Sequence, residues 1–155
     1  MEEHILVVDD EEYMRSLLSL ALAHKGFFVT TAADATEALA LFGGDSEAQT
    51  HFDLLLTDFN MPGVTGLELV ETLRSNGEQL PCLVMSGSPN GMLATEALAR
   101  GCAGFIRKPF TGLALAELIR KTLGLSQARG ATRPGALMVK RNQVEAGSLA
   151  QGALI

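Results

Sequence analysis

Five side chains in this chain, Asp9, Asp10, Asp58, Ser86 and Lys108, are of the types that phosphoryl chemistry needs. A carboxylate can attack phosphorus and form an aspartyl-phosphate. Three carboxylates brought together repel one another unless a cation sits among them. Hard oxygen ligands with room for water suit Mg2+, with Mn2+ as its substitute. The transition state spreads charge over the phosphoryl oxygens, which a metal and the Lys108 ammonium would stabilise from two sides. The Ser86 hydroxyl could donate a hydrogen bond to one of those oxygens. Taken singly, each residue has a plainer reading. Asp9 to Glu12 could complement a helix dipole. Ser86 could serve the turn at Gly87-Ser88-Pro89, Asp58 could open the turn at Asn60-Met61-Pro62-Gly63, and Lys108 could be a solvated surface lysine. What favours chemistry is that all of them fall at the ends of apolar runs.

Those runs are His4–Val8, Phe27–Thr31, Asp53–Thr57, Cys82–Ser86 and Gly104–Arg107. They are short and Leu- or Val-rich, as strands buried on both faces are. Amphipathic segments separate them. Met14, Leu17, Leu18 and Ala21 form one helical stripe, and Ala35, Ala38, Leu39 and Phe42 another. Asp34 with Glu37 and Thr65 with Glu68 have capping-box spacing. A fourth helix is expected from near Asn90 to Arg100, capped by Gly101, and a fifth from Thr111 to about Leu123, capped by Gly124. Gly43–His51 reads as a polar surface loop. Five β-α units imply a parallel sheet with helices on both faces, and right-handed crossovers leave few topologies. Ligands of such sheets bind beyond the carboxyl ends of the strands. Asp9-Asp10, Asp58, Ser86 and Lys108 would then share one rim.

The chain has 155 residues, 47% of them hydrophobic, which is enough for one packed domain. The charge is uneven. Residues 1–124 carry 8 Lys and Arg against 17 Asp and Glu, whereas residues 125–155 carry Arg129, Arg133, Lys140 and Arg141 against Glu145. The acidic body argues against direct nucleic-acid binding. Residues 1–124 are expected to form the folded domain and 125–155 a flexible tail, partly helical near Ala136–Arg141. No apolar run approaches the roughly 18 residues that span a bilayer, and Met1-Glu2-Glu3 is acidic where a signal peptide is basic. A cytoplasmic protein without membrane contact is expected. Cys82 and Cys102 have neither metal nor redox spacing, and His4, His24 and His51 form no zinc pattern.

The motifs ILVVDDE at 5–11, DLLLTDFNMPGVTGLEL at 53–69, LVMSG at 83–87 and GFIRKPF at 104–110 resemble the receiver domain of two-component response regulators, over about residues 3–123. The resemblance implies a flavodoxin-like fold, a doubly wound five-stranded parallel sheet in the order 2-1-3-4-5. It implies that Asp58 is the phospho-acceptor, and that Asp10, Asp58 and the Asn60 backbone carbonyl bind Mg2+, with Asp9 acting mainly through water. It also makes Ser86 the switch hydroxyl, Phe105 the switch aromatic and Lys108 the phosphoryl contact, with a peptide bond before Pro109 that is usually cis. A histidine kinase or phosphotransfer protein would donate the phosphoryl group. A remodelled face at residues 90–123 would engage a downstream protein, with the chain a monomer or a phosphorylation-dependent homodimer. The receiver would catalyse only its own phosphorylation and dephosphorylation, within a phosphorelay. Phe105 lacks the phenol of the Tyr found in many members. Asn60 and Ser88 are not strong bases, so rapid self-dephosphorylation is not expected.

Two other classes use similar parts. A haloacid-dehalogenase-type phosphatase needs a second acid two residues after its nucleophile, where this chain has Asn60. A flavin module needs a phosphate loop after the first strand, where Asp9-Asp10-Glu11-Glu12 would repel a phosphate.

Overall fold

A computed structural model of the chain describes residues 2–43, 50–87 and 92–127. The elements run β1 (His4–Val8), α1 (Glu12–His24), β2 (Phe28–Ala32), α2 (Ala35–Ala40), β3 (Leu54–Asp58), α3 (Gly66–Ser75), β4 (Cys82–Ser86), α4 (Met92–Ala99), β5 (Gly104–Arg107) and α5 (Gly112–Gln127). The strands form one sheet in the order β2-β1-β3-β4-β5, with every pairing parallel. This is the order and class that the resemblance implied.

Alternation along the strands divides the interior in two. Ile5 and Val7, Leu54 and Leu56, Leu83 and Met85, and Ile106 point to the face covered by α1 and α5. Leu6 and Val8, Leu55, Cys82 and Val84, and Phe105 point to the face carrying α2, α3 and Ala97 of α4. Both faces of the central strands are therefore apolar, which explains why those runs read as continuous rather than alternating.

Two strands begin one residue later than their apolar runs. The Phe27 N–H is bonded to the Leu22 carbonyl at 3.1 Å, so Phe27 closes α1 instead of opening β2. Asp53 stays outside β3, and its Oδ2 accepts from the His4 N–H at 2.7 Å. The N-cap bond of each expected box forms: Glu37 N–H donates to Asp34 Oδ1 at 2.8 Å, and Glu68 N–H to Thr65 Oγ1 at 3.2 Å, while the Glu37 carboxylate accepts from the Ala33 N–H. α2 ends at Ala40, short of Phe42, which packs its ring against Phe52 with centroids 5.3 Å apart. The buried positions of α1 are Leu18 and Leu22, so the core face is turned slightly from the expected stripe.

Gly101 closes the segment after α4 with φ +94°, as expected. Gly124 does not cap α5. The helix continues through it to Gln127, and Gly124 is not among the positive-φ glycines. A glycine weakens a helix without ending it, and no steric demand at this position forces a turn. Three expected features lie outside the described residues: the start of the fourth helix at Asn90, most of the Gly43–His51 loop, and residues 128–155 with the helical turn near Ala136–Arg141.

Candidate functional site

Sheet register brings the chemistry to one rim. Val8 pairs with Thr57, so Asp9 leaves β1 beside Asp58, the last residue of β3. Asp58 pairs with Met85, which places Ser86 one step further along β4. Ser86 pairs with Arg107, and Lys108 follows it. The Lys108 N–H then bonds the Ser86 carbonyl at 2.8 Å, and the Lys108–Pro109 peptide is cis, as the resemblance implied.

The side chains converge. Asp9, Asp10 and Asp58 each offer a carboxylate oxygen, and these atoms lie within 4.8 Å of one another. Lys108 Nζ lies 3.0 Å from Asp58 Oδ1 and 3.7 Å from Asp9 Oδ2. Asp9 is 1% exposed and Asp58 7%, while Asp10 reaches solvent. Asp9 Oδ1 accepts from the Glu11 N–H at 2.9 Å, and its carbonyl accepts from Arg15 Nη1 at 2.8 Å. Asp9 Oδ2 is buried and accepts no hydrogen bond among the described residues. An ionised oxygen in that condition is costly, and a divalent cation at the cluster would satisfy it. Burial pushes the Asp58 carboxyl above its ordinary value of 3.8; the Lys108 hydrogen bond and charge oppose the rise, and Asp9 and Asp10 add to it.

Ser86 is fully buried at the end of β4. Asn60 lies in the loop after β3 with its side chain exposed. Phe105 is only 7% exposed, and its ring belongs to the core on the α2–α3 face of the sheet. Ser88 lies outside the described residues. Sequence reasoning passed over three neighbours of the acidic cluster: Arg15, Thr57 and Gly66. Arg15 sits six residues from Asp9 on α1, and only the fold reveals its bond to the Asp9 carbonyl. Thr57 looked like one more strand residue, and Gly66 merely followed a cap.

Residues 5–120 match the response regulator receiver domain family. The chain belongs to that family. Chemotaxis protein CheY of Pseudomonas aeruginosa is 37% identical to this receiver over 120 residues, covering 76% of this chain and 93% of that protein. Transcriptional regulatory protein FixJ of Azorhizobium caulinodans is 34% identical over 124 residues, covering 80% of this chain but 56% of its own length. The chain thus spans little more than half of such longer relatives. Among solved structures, the receiver domain of NtrX from Brucella abortus is similar with a TM-score of 0.68 and 33% identity, covering 77% of this chain and 98% of that one. A receiver domain accepts a phosphoryl group in two-component signalling and is a signalling module rather than a conventional enzyme. Its partners are histidine kinases or phosphotransfer proteins on one side and effectors on the other. Receivers bind Mg2+ at an acidic cluster, the role open to Asp9, Asp10 and Asp58. No helix among the described residues is long and apolar enough to cross a membrane.

Proposed function

We propose that Asp58 is the phospho-acceptor and that Asp9, Asp10, Asp58, Ser86 and Lys108 form the machinery that catalyses its phosphorylation and dephosphorylation. The observation that carries this reading is the approach of Lys108 Nζ to Asp58 Oδ1 within a cluster of three carboxylates. In the transfer, an Asp58 carboxylate oxygen forms a bond to phosphorus as the bond from phosphorus to the donor's imidazole nitrogen breaks. The imidazole keeps the electron pair and later regains a proton from solvent. Lys108 holds its ammonium where charge builds on the phosphoryl oxygens. Ser86 would donate its hydroxyl proton to one of them.

The donor set suits Mg2+, as hard oxygens with an open, solvent-facing side. Asp10, Asp58 and the Asn60 carbonyl would hold the ion, with Asp9 acting mainly through water. Bound there, it would neutralise the carboxylates and the incoming phosphoryl charge. Residues 1–124 would be the receiver unit, in a cytoplasmic signalling chain, with residues 125–155 a flexible or partly helical tail whose first residues extend α5 to Gln127. The output surface would be the 90–123 face, reached through Ser86 and Phe105. Ser86 would move toward the phosphoryl group and the Phe105 ring would rotate with it, a local electrostatic change biasing a two-state element.

Incubation with a small acyl phosphate and Mg2+ tests the reading. Wild-type chain should acquire hydroxylamine-labile phosphate, and Asp58→Asn should acquire none. Equal labelling of the two would move the acceptor elsewhere.

A further inference from the structure

The peptide unit that joins Asp58 to Phe59 is gripped from both sides. Its N–H donates to the Met85 carbonyl at 2.8 Å. Its C=O accepts from Thr57 Oγ1 at 3.1 Å, and Thr57 is fully buried. α3 begins against the same carbonyl. A Cβ on Gly66 would collide with the Asp58 carbonyl oxygen and stand 3.1 Å from both the Asp58 carbonyl carbon and Thr57 Cγ2. The neighbour that would have to yield is mainly backbone, so no side-chain adjustment relieves the clash. The Gly66 N–H also donates to the Phe59 carbonyl at 3.1 Å, which ties the following peptide to the same helix start.

We propose that Thr57 and Gly66 are positioning residues for phosphoryl acceptance, fixing the Asp58–Phe59 peptide so that the acceptor carboxylate and the Asn60 carbonyl face the cation together. The proposal rests on Asp58 being the acceptor. Neither residue touches the phosphoryl group; both act through the backbone of the residue that does. A hydroxyl is needed at position 57 because valine would fill the same space without donating to the carbonyl. Glycine is needed at 66 because any side chain would push α3 and the acceptor strand apart. Groups that orient metal ligands from behind typically change metal affinity by 10–100-fold when removed.

The test uses the full chain as wild type, Thr57→Val, Thr57→Ser and Gly66→Ala. Two quantities are read against Mg2+ concentration: the rise in melting temperature, and the rate of labelling by a small acyl phosphate. Thr57→Val should raise the half-saturating Mg2+ roughly tenfold while changing the rate at saturation less, and Thr57→Ser should restore the wild-type value. Gly66→Ala should shift it at least as far. A Thr57→Val protein that melts lower without metal, yet keeps the wild-type half-saturation, would show a merely structural role and overturn the proposal. If Gly66→Ala fails to fold, the Thr57 pair decides alone. Absence of label in the wild type would sink the acceptor reading instead, and the Mg2+-induced melting shift would still judge the positioning.

Discussion

Asp58 carries a charge that its surroundings resist. Its folded pKa is raised, chiefly by burial, so the native state takes up a proton more readily than the unfolded chain. The stability linked to this group therefore increases as pH falls through the raised value, and at neutral pH the ionised carboxylate costs the metal-free fold. Asp58→Asn removes that cost and should melt at or above the wild type when metal is absent. Mg2+ should reverse the order. A ligand at 100 times its Kd stabilises by about 2.7 kcal/mol, which for a chain of this size raises the wild-type melting temperature by roughly 5–10 degrees, while Asp58→Asn gains much less. Melting curves of both proteins with and without Mg2+ check this; a wild type indifferent to Mg2+ would argue against the cation site. At this scale the sequence showed the acidic pair, Asp58, Ser86 and Lys108, because each ends or follows an apolar run. Thr57 and Gly66 stayed hidden because their importance lies in contacts with backbone, which leave no trace in residue type.

The elements were legible wherever local chemistry and tertiary packing agreed. β1, β4 and β5 have the bounds that their apolar runs suggested, and the Asp34 and Thr65 caps form as spaced. Disagreement arose at ends. Phe27 is as apolar as a strand residue, but a hydrogen bond to Leu22 commits it to the exit of α1. Gly124 had the composition of a cap, yet α5 continues through it. A Cβ at Gly124 would meet nothing within 4 Å, so Gly124→Ala should gain the ordinary helix-propensity difference of about 1 kcal/mol. That corresponds to a melting temperature roughly 2–4 degrees higher, with labelling of Asp58 unchanged. A lower melting temperature would indicate that the position is not interior helix.

Across the whole molecule, the sheet separates two electrostatic environments. The carboxyl rim gathers Asp9, Asp10, Asp58 and Lys108. The opposite rim holds His4, whose ring Nε2 lies 2.7 Å from Thr30 Oγ1, edge-on to Phe28 and tilted against Phe52. Burial lowers the His4 pKa below its ordinary 6.5, against the influence of the His51 carbonyl and Asp53 and with that of the His51 ring. The native state therefore prefers neutral His4. This preference costs nothing above the unfolded pKa and destabilises the fold as pH falls through it, because the unfolded chain is protonated first. As pH falls from 7.5 to 5.5, the unfolding midpoint of the wild type should fall relative to that of His4→Gln, a difference that isolates His4 from the opposite contribution of Asp58. An identical slope in the variant would place the titration elsewhere. The sheet order itself could not be read from periodicity, which counts strands without ordering them; the strand-end motifs supplied it through resemblance.

Cys82 and Cys102 add a practical property. Both thiols are buried, and burial pushes them up to about 11 and about 12. The thiolate is the form that attacks an alkylating reagent, so neither sulfur should react at neutral pH until the β4–β5 side of the sheet opens. Two silent probes are thereby built in, Cys82 at the start of β4 and Cys102 just before β5. Their capture by iodoacetamide should time native-state opening, slowing when Mg2+ is added and stopping at the same plateau. Immediate capture in folded protein would mean that this side of the molecule breathes freely.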